Sequence, residues 1–284
     1  MSEYLETPGG RRIAFQRSNG RGPGVVFLGG FKSDMTGTKA AWLHDWARER
    51  NRAFLRFDYS GHGQSSGAFE DGCIGDWFQD AQAVIGDLVE GPAVLVGSSM
   101  GGWIGLLLAR AMPERMAGLV TVAAAPDFTE RGFWPGFSEA ERAALLRDGR
   151  VLRPSDYGED YVFSRRLFDQ GAGNSVFGQP LRLPMPVRFL QGTADADVPM
   201  DDALRLLSHA EGPDIRLALV KDADHRFSGP RELRMIREAG YVSTIDRAYS
   251  DSSADLPLLQ AATRPVVVNP KPGRIEWFRE RLPA

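Results

Sequence analysis

Short apolar runs and amphipathic stretches alternate along most of this chain. Residues 25–28, Val-Val-Phe-Leu, are too few for a helix and are bounded by glycines, which predicts a buried strand. From residue 39 to residue 50 the apolar positions Ala40, Leu43, Trp46 and Ala47 share one helical face, and 53–57 is strand-like again. The rhythm continues with a helix over 74–90, a strand over 93–96, a helix over 101–111 that stops before Pro113, and a strand over 119–123. Ahead of it, 2–7 and 11–17 alternate around Pro8-Gly9-Gly10 and predict an N-terminal hairpin. Continuous apolar strands separated by helices predict an α/β fold, a mostly parallel sheet covered by helices on both faces.

The rhythm breaks between Pro126 and Pro184, where helical patches over 138–148 and 160–169 replace strands. It resumes with a strand over 187–190, a helix over 200–209, a strand over 215–220 and a helix over 230–239. The expected organisation is a core made of 1–125 and 185–240, a helical cap inserted at 126–184, and a C-terminal appendage at 241–284. The cap holds nine aromatics, Phe128, Phe133, Trp134, Phe137, Tyr157, Tyr161, Phe163, Phe168 and Phe177. Some could wall an apolar ligand channel, but a small insertion needs several of them to pack itself onto the sheet.

Charge and composition narrow the partners. Lys and Arg number 34 against 37 Asp and Glu, so there is no cationic surplus to neutralise nucleic-acid phosphates. The longest apolar runs, 103–109 and 117–126, are far shorter than the roughly 18 residues of a membrane span. A single cysteine, Cys73, needs no oxidising compartment, and the first residues resemble neither a signal peptide nor a transit sequence. Cytoplasm is the expected location.

The chemistry concentrates at strand ends. Gly97-Ser98-Ser99-Met100-Gly101 matches G-x-S-x-G, directly after one predicted strand and directly before a helix. The glycines two before and two after Ser99 let strand and helix approach closely; Ser98 would need them where Val96 and Met100 stand. A serine hydroxyl at its free pKa is a weak nucleophile and needs a base, which in turn needs an orienting acid. Of four histidines, His225 follows the strand ending at Val220 and lies on the same sheet edge as Ser99, making it the expected base. His62 follows a strand but precedes the serine and is expected to fix its own loop, whereas His44 and His209 sit on helices. The acid comes from Gly192-Thr193-Ala194-Asp195-Ala196-Asp197-Val198-Pro199. Asp195 is the better placed, with Asp197 nearer the helix start and suited to capping it; Asp222 and Asp224 are too close to His225 to reach its ring. Two backbone amides are expected to face a developing oxyanion, that of Met100 at the helix start and that of Phe31 after Gly29-Gly30. No metal or cofactor is required.

These features in this order resemble the α/β-hydrolase superfamily over about residues 1–240. The stretches Gly30-Phe31-Lys32-Ser33-Asp34-Met35-Thr36-Gly37-Thr38-Lys39-Ala40, Arg56-Phe57-Asp58-Tyr59-Ser60-Gly61 and Gly97-Ser98-Ser99-Met100-Gly101-Gly102-Trp103 are similar to its depalmitoylase branch. That branch contains mitochondrial acyl-protein thioesterases that also cleave acyl glucuronides. The resemblance implies hydrolysis of acyl thioesters or carboxylic esters, small or protein-linked, with Ser99, Asp195 and His225 as a triad and Phe31 and Met100 as oxyanion donors. A binding protein that keeps the fold without activity is the alternative from another class, since fold alone does not prove chemistry.

The last 44 residues are read differently. Asp251-Ser252-Ser253-Ala254-Asp255 and Pro265-Val266-Val267-Val268-Asn269-Pro270 resemble the final acidic motif of haloacid-dehalogenase-type phosphatases, whose aspartates hold Mg²⁺. Those enzymes also need an early nucleophilic aspartate. Asp222-Ala223-Asp224 lies only 29 positions before Asp251 (251 − 222), too close for the intervening core. A strand-helix-strand-helix fragment without phosphatase chemistry is expected.

Overall fold

In the computed structural model the described residues are 2–154, 160–240, 245–250, 262–267, 275–280 and 282, in two compact units, Met1–Gly240 and Tyr241–Ala284. The first unit opens with β1 (Glu3–Glu6), β2 (Arg12–Ser18), β3 (Arg21–Leu28), α1 (Thr38–Glu49), β4 (Arg52–Phe57), α2 (Ile74–Leu88), β5 (Ala93–Ser98), α3 (Met100–Ala111) and β6 (Met116–Val122). The inserted segment carries α4 (Glu139–Asp148), β7 (Arg150–Arg153), β8 (Tyr161–Ser164) and α5 (Arg165–Gly173), followed by β9 (Leu181–Arg182). The core then resumes with β10 (Val187–Gly192), α6 (Met200–His209), β11 (Ala210–Glu211), β12 (Ile215–Val220) and α7 (Pro230–Gly240).

Eight strands make one sheet in the order β1-β2-β4-β3-β5-β6-β10-β12. From β4 to β12 every pair is parallel, and the hairpin β1–β2 joins the β4 edge antiparallel. The inner strands β5 and β10 are buried at every position, as a sheet covered on both faces demands. In α1 the four residues expected to face inward, Ala40, Leu43, Trp46 and Ala47, are the buried ones. Helix α3 is buried from Met100 to Ala109, so it lacks a polar face and needs cover all round. Part of that cover is the end of the insertion, where Asn174 accepts from Trp103 Nε1 at 3.1 Å and Ser175 from Arg110 at 3.1 Å, both through their carbonyls.

The segment between β6 and β10 is pinned at both ends. Asp127, buried and at φ 57°, accepts from the Ser175 hydroxyl (2.6 Å) and the amides of Val176 (2.7 Å) and Phe177 (3.1 Å). The secondary structure of this segment departs from the helical patches expected of it. Residues 161–164 form β8, paired antiparallel with β7, and the helix begins only at Arg165, where the Ser164 hydroxyl accepts from the Leu167 amide at 3.2 Å. Tyr-Val-Phe-Ser is a β-branched and aromatic tetrapeptide whose partner strand is tertiary context, which overrode the helical reading of 160–169. α4 matches expectation and starts with a reciprocal Ser138–Glu141 capping box.

The second unit contains β13 (Ile245–Ser250) and β14 (Ala262–Val267), paired parallel, and α8 (Ile275–Arg279). The helix expected between the two strands, with Asp251 and Asp255, lies outside the described residues.

Candidate active site

Ser99 stands between β5 and α3 with φ 54° and ψ −115°, a left-handed, strained backbone for a residue with a side chain. The turn is fixed on both sides: the Ser99 amide donates to the Val122 carbonyl at 2.9 Å, and its carbonyl accepts from Gly102 at 2.9 Å and Ala125 at 3.2 Å. The flanking glycines are required by space. A Cβ on Gly97 would lie 2.2 Å from the Gly101 carbonyl oxygen, and one on Gly101 would lie 2.1 Å from that of Leu28. Strand β3, the Ser99 turn and α3 therefore touch backbone to backbone.

His225 follows β12 and Asp195 follows the neighbouring β10. Nε2 of His225 lies 3.1 Å from Ser99 Oγ, and Nδ1 lies 3.0 Å from Asp195 Oδ2 and 3.1 Å from Oδ1. A carboxylate only accepts, so Nδ1 carries the proton and Nε2 is left to accept from the serine hydroxyl. The Asp195 side chain is fully buried. It also accepts from the amides of Val198 (2.8 Å) and Asp197 (3.0 Å) and from Gln191 Nε2 (3.0 Å). Burial alone would raise its carboxyl; the bonds from His225, Val198 and Asp197 outweigh that and hold it below the ordinary range.

Asp197 is exposed and does not cap α6, whose N-cap is Pro199 without a side-chain cap bond. Its amide supports Asp195 instead. Asp195, Asp197 and His225 offer ligand-type atoms within 4.8 Å of one another, but two of the three are hydrogen-bonded to each other.

The segments expected to supply the oxyanion amides run beside the serine. Met100 is the first residue of α3, and Gly30, immediately before Phe31, packs so that a Cβ there would sit 3.5 Å from Ser99 Cβ. The loop carrying Phe31 is tied down by two residues after β4. His62 Nε2 accepts from the Lys32 amide at 3.2 Å while Nδ1–H donates to the Ser60 carbonyl at 3.1 Å, so its neutral tautomer is fixed by backbone groups that cannot switch roles. Burial pushes this imidazole down to about 4. Asp58 accepts from the Met35 amide at 2.6 Å and from the Gln64 amide at 2.9 Å. The loop-fixing role expected of His62 is thus seen; Asp58 and Gln191 were not anticipated. The signal for Gln191 was its place as a polar residue directly after the buried strand read over 187–190, which in the structure extends to Gly192.

The half-buried Phe31 ring lies among aromatics from core and insertion. Its centroid is 4.8 Å from Phe69, 5.3 Å from Phe128, 5.7 Å from Tyr161 and 5.8 Å from Phe133.

A parallel sheet with a strained serine at the strand-to-helix turn, and an imidazole and a buried carboxylate on later strand ends, defines the α/β-hydrolase class. The chain belongs to the alpha/beta hydrolase family, whose model matches residues 25–270 and so runs past Gly240 into the second unit. It is a hydrolase by that membership. The palmitoyl-protein thioesterase ABHD10, mitochondrial, of Rattus norvegicus is 31% identical over 245 residues, 86% of this chain and 80% of that protein. Among solved structures, a putative hydrolase from Agrobacterium vitis S4 is 39% identical with a TM-score of 0.80, covering 84% of this chain and 97% of that one. The mouse alpha/beta hydrolase domain-containing protein 10 is 29% identical with a TM-score of 0.77, covering 84% and 96%. Among the described residues no helix is long and apolar enough to cross a membrane.

Proposed function

We propose that this protein is a serine hydrolase that cleaves acyl thioesters or carboxylic esters through an acyl-enzyme. The observation that carries the proposal is the continuous hydrogen-bonded line from Ser99 Oγ through His225 to Asp195. In the acylation step the serine oxygen attacks the acyl carbon as Nε2 takes its proton. The tetrahedral oxyanion is held by the Phe31 and Met100 amides, where the α3 N-terminus also favours negative charge. The imidazolium then gives its proton to the departing sulfur or oxygen. A water, deprotonated by the same nitrogen, releases the carboxylic acid and restores Ser99. Asp195 stays ionised throughout and stabilises the imidazolium.

The acyl group is assigned to the aromatic wall around Phe31, Phe69, Phe128, Phe133 and Tyr161, which suits an apolar chain or ring. Similarity to relatives named palmitoyl-protein thioesterases supports a thioester leaving group and protein-linked substrates. Cytoplasm is the compartment proposed, as the default for a chain whose lone buried Cys73 needs no oxidation; the rat relative is named mitochondrial. Residues 126–184 are assigned to the cap, and 241–284 to an appendage without chemistry of its own.

The test is a chain-length series of acyl thioesters and matched oxyesters with wild type and Ser99→Ala, paired with fluorophosphonate labelling. Ser99→Ala is expected to lose labelling and about 10⁴-fold or more in kcat. Undiminished labelling of that variant would mean that another residue reacts.

A further inference from the structure

The Asp195 side of His225 is well braced, but a hydrogen-bonded ring also needs its backbone held, and the loop over 221–229 is an awkward one. Asp222 (φ 64°) and Phe227 (φ 48°) both take left-handed conformations without being glycine. Such conformations are costly for a residue with a side chain and persist only where the surroundings dictate them. Several contacts dictate this loop, among them the Asp222 amide donating to Thr193 Oγ1 at 2.9 Å and the Ala223 carbonyl accepting from the Ala194 amide at 3.0 Å. The Phe227 ring is fully buried. The Phe227 amide donates to the Asp224 carboxylate at 3.0 Å and to its carbonyl at 3.2 Å. A further contact comes from far along the chain: the ammonium of Lys39, second residue of α1, donates at 2.5 Å across 187 positions to the Arg226 carbonyl, which also accepts from the Ser228 hydroxyl of its own loop at 2.8 Å.

Arg226 is the residue directly after His225. Lys39 follows the loop that carries Phe31, so one short segment, 29–39, ends in a clamp on the backbone of the base. Burial disfavours the ammonium's charge; of the charged groups facing it, Asp224 favours its proton and Arg226 adds to the effect of burial, and the balance brings it down to about 8. A lysine held half-buried against its own charge makes sense where its hydrogen bond is needed.

We propose that Lys39 is a positioning residue for His225, fixing the 221–229 loop through the Arg226 carbonyl so that Nε2 stays within reach of Ser99. The proposal rests on the reading of Ser99, His225 and Asp195 as the reacting set. A charge-assisted hydrogen bond is roughly twice as strong as a neutral one. The clamp therefore slackens as the ammonium loses its proton, and catalysis declines to a lower plateau above about pH 8.

The experiment compares wild type, Lys39→Met and Lys39→Arg on a short p-nitrophenyl ester between pH 6.5 and 9.5. Methionine keeps the stem and removes the donor, whereas arginine keeps a charged donor at every pH used. Lys39→Met is expected to lower kcat about 10- to 100-fold, the scale of a misplacement near 1 Å, with KM within about two-fold. The rate of fluorophosphonate labelling should fall in parallel. Lys39→Arg is expected to recover most of kcat and to abolish the alkaline inflection of wild type. Wild-type kcat and labelling in Lys39→Met would overturn the proposal. So would an inflection near pH 8 that survives in Lys39→Arg, a measurement that stands even where Lys39→Met does not fold. Activity retained in Ser99→Ala sinks the underlying reading instead, whatever the lysine variants do.

Discussion

Two carboxylates two residues apart in one loop differ in almost everything that decides chemistry. The Asp195 side chain is fully buried and receives four donors, from Gln191, Asp197, Val198 and His225, so its oxygens cannot turn away from the ring. Asp197 is exposed to water. Asp195→Asn is expected to reduce kcat by about 10⁴-fold, because an amide stabilises the wrong tautomer of His225. Asp197→Asn, which keeps the amide that Asp195 uses, is expected to stay within about two-fold. Steady-state kinetics on the pair decides it, and the reverse ranking would exchange their roles. The sequence made Ser99 and His225 legible because a five-residue motif and chain order point at each. It preferred Asp195 partly because Asp197 looked like a helix cap, yet Pro199 holds that position. What separates the two is a set of donors contributed by β10 and by the loop's own fold, which no local spacing displays.

The element that carries the site is the β5–α3 turn, and its limit is space. Adding one methyl at Gly101 would put carbon 2.1 Å from the Leu28 oxygen and 2.6 Å from the Gly29 oxygen, both main chain at the root of the Phe31 loop. Gly101→Ala is expected to cost about 1–3 kcal/mol as overpacking, which in a domain of this size lowers Tm by about 2–4 °C per kcal/mol. Because the strain is relieved by moving the oxyanion loop, activity should fall further than stability explains. Gly86→Ala, at an open position inside α2, is the control and is expected to be neutral or stabilising. A Gly101→Ala protein with wild-type melting and turnover would mean that strand and helix are not locked together. Pattern alone recovered the main elements of this scaffold, most of them within two residues and with β3 and β6 starting four and three residues earlier than read, because apolar spacing is a local record of burial. It failed at β7–β8, where a strand of four residues exists only by pairing with another across the 154–160 connection.

At the scale of the molecule, alternation foretold a parallel sheet but not the order in which its strands lie, since the sequence records which residues are buried and not against what. That order brings the ends of β3, β5, β10 and β12 to one edge, and the loop after β4 is packed beneath it around a buried, neutral imidazole. His62 ties this edge to acid stability. Its folded value near 4 lies below the 6.5 of an unfolded imidazole, so the unfolded chain takes up a proton first as pH falls. The stabilisation it contributes is complete above pH 6.5 and is lost progressively down to about pH 4, roughly 3 kcal/mol in all. Asp195 acts lower, since a depressed carboxyl loses its contribution only below the ordinary carboxylate range. Asp58, whose carboxyl burial raises, works in the opposite sense near the bottom of the window. Comparison with His62→Gln at each pH cancels both. Glutamine can accept from the Lys32 amide and donate to the Ser60 carbonyl without titrating, so its urea-unfolding free energy should be the flatter of the two between pH 6.5 and 4. Parallel curves would show that protonating this imidazole costs the fold nothing, and that the Phe31 loop is held in place by Asp58 and packing rather than by an obligatorily neutral histidine.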